Sequence, residues 1–463
     1  MALMPEITAL FAKHTELAGA LAAADELNMK HYKGLQTLTH IGLAVPPNLR
    51  QFEAVLNWNR VAVDSIAQRQ KVKSFILPGE AEANDALQEN WAANNLDSES
   101  ALLHKDVLIY GRGFVCVGTN DEDPEHPLVT VESPRELTAL VDARYRRISS
   151  ALRLYGGTAD APDPVLATLY LPDSTAWFEL GDGGWVETDR DDHMLGRVPI
   201  VMFLNRRLTG EWTGESEMAD VIPHVEIVSR QLLNMQVAGE TIAIPKRWAT
   251  AMSKGDFVGA DGKQLPVWEA YMGAIWASGN KDAKFGQFDG ADLKNFHDTI
   301  KMQAANVSSV TGLPLRYLGQ NSVNPAAEGA IRADESRLVL NVEDKNSIIG
   351  DGWAWVQGIV QRFRTGDWPL ANQIKTEWFD PGTPTFAQKA DALTKLHGGG
   401  PVLSREGVWD ELGFSEPRKA KERAYWDAEN SDPYLQDLGE KNEVADALAI
   451  TAGSGDGVRG LSA

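Results

Sequence analysis

Residues 313–339 read LPLRYLGQNSVNPAAEGAIRADESRLV, and this stretch decides how the C-terminal half of the chain is organised. A segment rich in Gly, Asn and Pro leads directly into a helical pattern that opens with small residues. Asn324 suits an N-cap and Pro325 suits the first helical turn. The stretch contains no recognisable catalytic set. It therefore predicts a polar loop at the start of a helix.

The helix predicted from Pro325 to Phe363 carries an apolar stripe at helical spacing. The stripe comprises Ile331, Leu338, Val342, Ile349, Trp353, Val356, Val360 and Phe363. At ~1.5 Å per residue the helix would be roughly 60 Å long, with Gly350 and Gly352 as positions where it can bend. It carries too many charges to cross a membrane.

Two further helices precede the loop and flank a small insert. The first has its stripe from Met218 to Met235, and Pro223 should kink it or set its first turn. The second is stopped by Gly312 and Pro314. Between them the signals are mixed, so the chain is predicted to leave along one helix and return along the next.

The N-terminal region opens with helical patterns. A helix from Phe52 to Gln70 leaves Asp64 and Arg69 on the solvent side. Another runs from Asp97 to Tyr110, with Asp97 or the following serine as N-cap and a glycine at its far end.

From residue 113 to 204 the pattern changes to short segments rich in β-branched and aromatic residues, separated by Gly, Pro and Asp. The segments are FVCVG, PLVTVES, ISSALRLY, LATLYLP, AWFEL, GWVET and PIVMFL. Their hairpin-like spacing fits antiparallel strands and no parallel βαβ series. The fold class predicted for the chain is therefore α+β.

Composition limits the possible functions. The 463 residues include 65 acidic and 44 basic side chains, a formal net charge of -21, which argues against ordinary tight binding of nucleic acid. The single cysteine, Cys116, lies in an apolar strand pattern and suits a reducing compartment. The first residues lack the apolar core of a signal peptide.

Catalytic motifs are missing from the sequence. There is no HExxH pair, no Gly-x-Ser-x-Gly elbow and no Walker loop, so no cofactor is expected. The acidic run from Asp189 to His193 offers ligands for a hard cation, but a solvated loop is favoured because the glycine and distal glutamate of an EF-hand are absent. A cytosolic metal-dependent enzyme using the loop around Asp191 stays open as the alternative to a structural or assembly role, which is preferred.

The order of several motifs resembles the portal proteins of long-tailed siphophages. The matching stretches are HYKGLQTL, VLNWNRVAVDSIAQR, WAANNLDSESALLHKDVLIYGRGFVCVG, VESPRELTALVDARYRR, GESEM, GQFDGADL, TGLPLRYLGQNSVNPAAEGAIRADESRLV and ADALTKLHGGG. The resemblance implies a portal fold assembled as a dodecameric ring. It implies no enzymatic activity.

Carried onto this chain, the resemblance implies an order of regions. These are an α+β wing (1–205), a first stem helix (206–240), a clip (241–288), a second stem helix (289–312), a tunnel loop (313–324), a long helix returning to the wing (325–366), a crown (367–440) and a disordered tail (441–463).

The resemblance also implies a function and partners. The ring would form the channel at one capsid vertex through which double-stranded DNA is packaged and ejected. Its partners would be the large terminase, the major capsid and scaffold proteins, and head-completion or adaptor proteins. The protein would be assembled in the host cytoplasm and reside in the virion, without a membrane.

The residues predicted to face DNA lie in the tunnel loop, where basic and amide groups would graze phosphates without reading bases. They are Arg316, Tyr317, Gln320, Asn321 and Asn324. For Arg316 a second interpretation stays open, in which it pairs with an acidic residue of a neighbouring subunit.

Overall fold

A computed structural model describes residues 4–37, 55–158, 163–243, 247–251, 282, 284–287, 293–320, 328–382, 386–397, 402–414 and 416–431. The chain divides into two compact units, Met1–Gly382 and Thr383–Ala463. The predicted mixture of helices and antiparallel strands is confirmed.

The described helices of the first unit are α1 (Pro5–Lys33), α2 (Trp58–Ala67), α3 (Asp85–Ala93), α4 (Leu96–Tyr110), α5 (Ile222–Ala243), α6 (Lys294–Thr311) and α7 (Glu328–Thr365). Its strands are β1 (Val72–Ile76), β2 (Arg112–Gly118), β3 (Leu128–Glu132), β4 (Leu137–Asp142), β5 (Arg147–Tyr155), β6 (Leu166–Tyr170), β7 (Thr175–Gly181), β8 (Gly184–Asp191), β9 (Ile200–Leu204), β10 (Arg247–Thr250), β11 (Lys284–Gln287) and β12 (Lys375–Trp378).

The seven strand segments predicted between residues 113 and 204 lie in two antiparallel sheets, together with β4, which was not predicted. Strands β4 to β8 pair in sequence order, and β2 lies between β3 and β9. Helix α1 covers the larger sheet. Its Phe11 ring packs edge-on against the Phe178 ring of β7, with 5.2 Å between the ring centroids. A second apolar cluster, which includes Phe114 and Leu137, contains residues of both sheets.

Helix α7 runs through two hydrophobic clusters of the first unit. Its Leu338 and Val342 pack with apolar residues of α2, α4, α5 and α6, whereas Trp353 and Val356 pack with residues of α3, α4, β2 and β9. The predicted stripe is confirmed from Leu338 to Val360, all buried, while Ile331 near the helix start is exposed. The 38-residue helix is about 57 Å long at ~1.5 Å per residue.

The glycines of α7 allow close packing and do not interrupt the helix. A Cβ at Gly352 would lie 2.4 Å from the Phe203 ring, and one at Gly350 would lie 3.2 Å from the Trp378 indole nitrogen. The helix continues without a break through both glycines, which let β9 and β12 approach its backbone.

Several helix ends differ from the predictions. Helix α4 starts at Leu96 with Asn95 as N-cap, so neither Asp97 nor the following serine caps it. Of the two roles predicted for Pro223, a kink or the first helical turn, the structure has the second, because α5 begins at Ile222. Helix α6 ends at a left-handed Gly312, as predicted. The predicted start of α7 at Asn324 and Pro325 lies outside the described residues.

The first unit extends beyond the long helix to Gly382. Strand β12 pairs with β1, about 300 residues earlier, and Ser74 donates a 2.9 Å hydrogen bond to Glu377 across this pair. This pairing holds residues up to 382 in the first unit. A four-residue strand has no local signal that identifies so distant a partner.

The second unit contains α8 (Phe386–His397), α9 (Arg405–Glu411) and α10 (Glu416–Ser431). Arg423 of α10 forms two hydrogen bonds with the Glu406 carboxylate of α9, 2.7 and 2.8 Å long, and Lys419 pairs with Asp410. The predicted tail, 441–463, lies outside the described residues.

The predicted clip, 241–288, is described only in part. Strands β10 and β11 pair antiparallel, so the end of α5 and the start of α6 are brought together. Residues 252–281 lie outside the described part of the chain. None of the helices within the described ranges combines the length and apolarity that a membrane span requires.

Candidate DNA-contact segment

The predicted tunnel loop begins with a tightly fixed turn. The Thr311 hydroxyl donates to the Val307 carbonyl at 2.7 Å, and the Ser308 hydroxyl donates to the Leu313 carbonyl at 2.6 Å. Gly312 takes a φ of 75°, the left-handed conformation that ends many helices. The chain therefore leaves α6 in one defined direction.

Two leucines anchor the segment in the core. Leu313 and Leu318 are 2 % and 3 % exposed and lie in the same apolar cluster as Leu338 of α7. Between them Leu315–Leu318 forms a single 3-10 turn that ends at a left-handed Gly319. The first residues of the predicted loop are thus a packed turn that also carries Arg316 and Tyr317.

A polar cluster joins this turn to α7 and α2. The Tyr317 hydroxyl donates to Glu335 Oε1 at 2.7 Å and accepts a 2.9 Å hydrogen bond from Arg69 Nη2. Arg316 forms an ion pair with the same Glu335 carboxylate, and its other terminal nitrogen lies 3.6 Å from Asp334 Oδ2. Arg69 Nη2 also lies 3.7 Å from Glu335 Oε1. One buried carboxylate therefore holds two arginines and a tyrosine.

The electrostatics of the cluster favour the charged forms. Burial by itself would raise the pKa of Glu335, but the hydrogen bond from Tyr317 and the charges of Arg316 and Arg69 hold it below its ordinary value. Burial would lower the pKa of Arg316, and the hydrogen bonds to Tyr317 and Glu335 raise it instead. The turn stays fixed at neutral pH because Glu335 remains ionised.

The structure describes three of the five predicted DNA-facing residues. Arg316 and Tyr317 lie together in the cluster around Glu335, and Gln320 is half-buried at the end of the described turn. Arg316 pairs with carboxylates of its own chain, an arrangement that neither sequence interpretation included. Asn321 and Asn324 lie outside the described residues.

Sequence reasoning missed Arg69 and Glu335 as supports of this segment. Arg69 was predicted to face solvent, but its side chain is only 13 % exposed and also donates to the Ser65 carbonyl at 3.0 Å. A charged residue at the end of an amphipathic helix normally reaches water. Tyr317 lies 248 residues later in the chain, so no local pattern could have identified it as the partner of Arg69.

A second buried polar cluster fixes the middle of α7 to the segment before α5. Lys345 Nζ lies 2.8 Å from Glu217 Oε2 and donates a 2.7 Å hydrogen bond to Asn205. Arg206 approaches the same Glu217 carboxylate at 3.3 Å. At the start of α5, His224 and Gln303 of α6 form a 2.6 Å hydrogen bond. These contacts support the two helices that enclose the predicted clip.

The acidic run proposed for the alternative function lies partly in a strand, because β8 extends to Asp191. Arg190 pairs with Glu187 at 2.7 Å, and Asp191 accepts a 3.2 Å hydrogen bond from Thr119. Burial lowers the pKa of His193, although the neighbouring aspartates oppose this shift. Across the ranges that the structure describes, three or more His, Cys, Asp or Glu side chains nowhere converge to hold a metal ion.

Cys116 has the properties predicted for a structural residue. It is buried in β2, and burial raises the pKa of its thiol to about 12. The thiolate that a nucleophilic mechanism requires is therefore disfavoured.

Comparison with known proteins identifies the chain. Residues 26–433 match the family model described as phage portal protein, SPP1 Gp6-like. The chain belongs to this portal protein family. Proteins named "Portal protein" from Mycobacterium phages D29 and L5 are each 35% identical to it, over 439 and 438 residues, covering 92% of this chain and 89% of each relative. The resemblance proposed from the motifs is confirmed.

Solved structures similar to this portal protein come from gene transfer agent particles. The neck of an empty particle computed with C6 symmetry has a TM-score of 0.47 and 14% identity, and covers 84% of this chain and 93% of the other. The neck of a native particle computed with C12 symmetry has a TM-score of 0.42 and 14% identity, and covers 77% and 88%.

Proposed function

We propose that the chain assembles into a dodecameric ring at one capsid vertex, the channel through which double-stranded DNA is packaged and ejected. The observation that carries this proposal is the family match across residues 26–433, together with relatives named as portal proteins over nearly their whole length. Membership of the virion, assembly in the host cytoplasm, and docking of terminase and then of head-completion proteins belong to the same proposal.

The regions of this proposed ring are assigned by the order of elements. We propose the sheets and helices before Leu204 as the wing, α5 and α6 as the stem, and the insert with β10 and β11 as the clip. The second unit, from Thr383, would form the crown. The antiparallel pairing of β10 with β11 supports the assignment of α5 and α6, because the chain leaves along one helix and returns along the other.

The DNA contact proposed for the segment after α6 differs in detail from the one that the sequence suggested. Arg316 and Tyr317 are fixed by Glu335, so they hold the turn, and Gln320, Asn321 and Asn324 remain the residues proposed to contact DNA. The side chain of Arg316 is 28 % exposed, which leaves part of its guanidinium available for a phosphate. The contact would be weak, as a sliding duplex requires.

Negative-stain microscopy of the purified protein tests the assembly. Annular particles are expected, and a preparation of monomers or dimers would contradict the ring. The same images verify that each variant described below still assembles.

A pair of variants separates DNA contact from support of the turn. Arg316→Ala and Arg69→Ala each remove one cation from Glu335, but only Arg316 lies on the proposed loop. We expect Arg316→Ala to lower packaged DNA, measured as protected genome per particle, more than Arg69→Ala does. Equal losses would assign Arg316 a purely structural role, and normal packaging by both would exclude this contact.

A further inference from the structure

A cleft of about 280 Å³ in the first unit is rich in arginine. It is formed by the turn between β4 and β5, strand β9, the segment that follows β9, and α7. Four arginines line it, Arg146, Arg147, Arg197 and Arg207, together with the single carboxylate of Asp351. This concentration of positive charge contrasts with a chain whose net charge is -21.

The turn between β4 and β5 brings two of these arginines to the cleft. Asp142 Oδ1 accepts hydrogen bonds from the backbone nitrogens of Arg144 and Tyr145, at 2.8 and 3.0 Å. The Arg146 backbone nitrogen donates to the Asp142 carbonyl at 2.7 Å. Arg146 has a φ of 52°, in the left-handed region that residues other than glycine rarely adopt. Local hydrogen bonds therefore fix the left-handed Arg146, and Arg147 follows it as the first residue of β5.

The other two arginines are stacked on tryptophans. The Arg197 guanidinium carbon lies 3.7 Å from the centroid of the Trp355 ring, and that of Arg207 lies 3.8 Å from Trp212. Stacking orients a guanidinium and leaves its N–H groups free to donate in the plane. Arg207 uses one of them, Nε, to bond the Glu211 carbonyl at 3.2 Å.

The positive charges of the cleft are not neutralised within the described part of the chain. Arg69, Arg112, Arg153, Arg206 and Arg316 each form an ion pair with a carboxylate. No such pair to Arg146, Arg147, Arg197 or Arg207 exists among the residues the structure describes. Burial, reinforced by the charge of Arg147, lowers the pKa of Arg197 to about 10. A bound anion would relieve this repulsion.

We propose that this cleft binds the phosphate backbone of nucleic acid, independently of the segment after α6. The guanidinium group of arginine matches the geometry of phosphate oxygens. Several arginines along one cleft suit a ligand with repeated charges, such as a nucleic-acid backbone, better than a ligand with one isolated carboxylate. The volume admits a phosphodiester group and excludes a base pair, so recognition is without sequence preference. The inference rests on the proposed function only in that DNA reaches the protein.

Fluorescence anisotropy with the full chain and a short labelled duplex of mixed sequence tests the cleft. Arg146→Gln combined with Arg147→Gln should weaken binding about tenfold at low salt and reduce the slope of log affinity against log salt by about 2. Arg144→Gln is the matched control, because Arg144 lies in the same turn but outside the cleft lining. Equal affinity of the double variant and the control would overturn the proposal.

Arg197→Lys provides a second variant that keeps the charge and loses the planar fork. It should weaken duplex binding severalfold, whereas wild-type affinity would contradict the assigned role of the fork. Glutamine removes the charge at the turn and keeps a polar side chain, and unchanged thermal unfolding will verify that these variants fold.

Two competitors identify the source of the anion. Displacement of the duplex by sodium pyrophosphate from the wild type, but not from the double variant, supports a phosphate site in the cleft. Pyrophosphate binding without duplex binding would overturn nucleic acid as the ligand. Polyglutamate binding at the cleft without duplex binding would overturn it in favour of an acidic protein. None of these results depends on ring formation. Failure of this proposal is therefore distinguishable from failure of the proposed portal function.

Discussion

The Tyr317 hydroxyl donates a 2.7 Å hydrogen bond to Oε1 of Glu335, and this contact ties the turn after α6 to the first third of α7. The same hydroxyl accepts from Arg69, so α2 is joined to the two of them. Because Glu335 is buried and faces two arginines, the contact fixes the turn formed by Leu315–Leu318.

Tyr317→Phe should lower the free energy of unfolding by about 1–2 kcal/mol, because Glu335 and Arg69 lose a buried partner that phenylalanine cannot replace. Urea unfolding measures the change. Tyr145→Phe is the control, since Tyr145 is 60 % exposed. Equal stability of the two variants would show that the hydroxyl contributes nothing measurable.

Asp25→Ala should destabilise the first unit by about 3–5 kcal/mol, because it leaves a buried guanidinium without its carboxylate. Arg112 of β2 forms two hydrogen bonds with Asp25 of α1, 3.0 and 2.6 Å long, and both side chains are buried. The neighbouring Glu26→Ala removes only half-exposed ion pairs and should cost less than about 1 kcal/mol. Denaturant unfolding of both variants will reveal whether the difference exists.

Stability should fall as the pH drops from about 6.5 towards 4. Burial lowers the pKa of His104 to about 4, and its Nε2 accepts a 3.0 Å hydrogen bond from the Trp353 indole, so the folded protein holds it neutral. The unfolded chain takes up the proton near pH 6.5, which costs the folded state about 3 kcal/mol once the pH reaches 4. His14 is buried with the same pKa shift and adds to the effect.

His104→Gln should reduce this dependence, because glutamine can still accept from Trp353 and has no proton to gain. Thermal unfolding between pH 7 and 4 measures it. His297→Gln, at an exposed position of α6, should leave the slope unchanged. An identical pH dependence in the two variants would contradict a neutral buried His104.

Gly352→Ala should cost about 1–3 kcal/mol, because the new Cβ would meet the Phe203 ring at 2.4 Å. Gly239→Ala, within α5, meets no atom within 4 Å and should be neutral or stabilising by up to about 1 kcal/mol. Opposite signs of the two changes in thermal unfolding are expected. Stabilisation by both would mean that β9 can move away from α7.

The sequence by itself determined the local elements and the family. Alternation over residues 113–204 indicated the antiparallel strands, and the stripe from Leu338 to Val360 indicated the long helix, because each pattern depends on which face of one element is buried. The left-handed Gly312 followed from the same local rules. The eight motifs indicated the portal family because their order extends over most of the chain.

Only the tertiary structure decided how these elements support the loop. Arg69 meets Tyr317 across 248 residues, and β1 meets β12 across about 300, so neither pairing leaves a periodic signal. Gly352 was considered only as a position where the helix can bend, because the sequence does not show that the Phe203 ring packs on it. The arginine cleft is likewise assembled from three separate stretches of the chain, 141–148, 197–212 and 348–355. Local periodicity reports which side of an element is buried, whereas the partner on that side is set by packing of the whole chain.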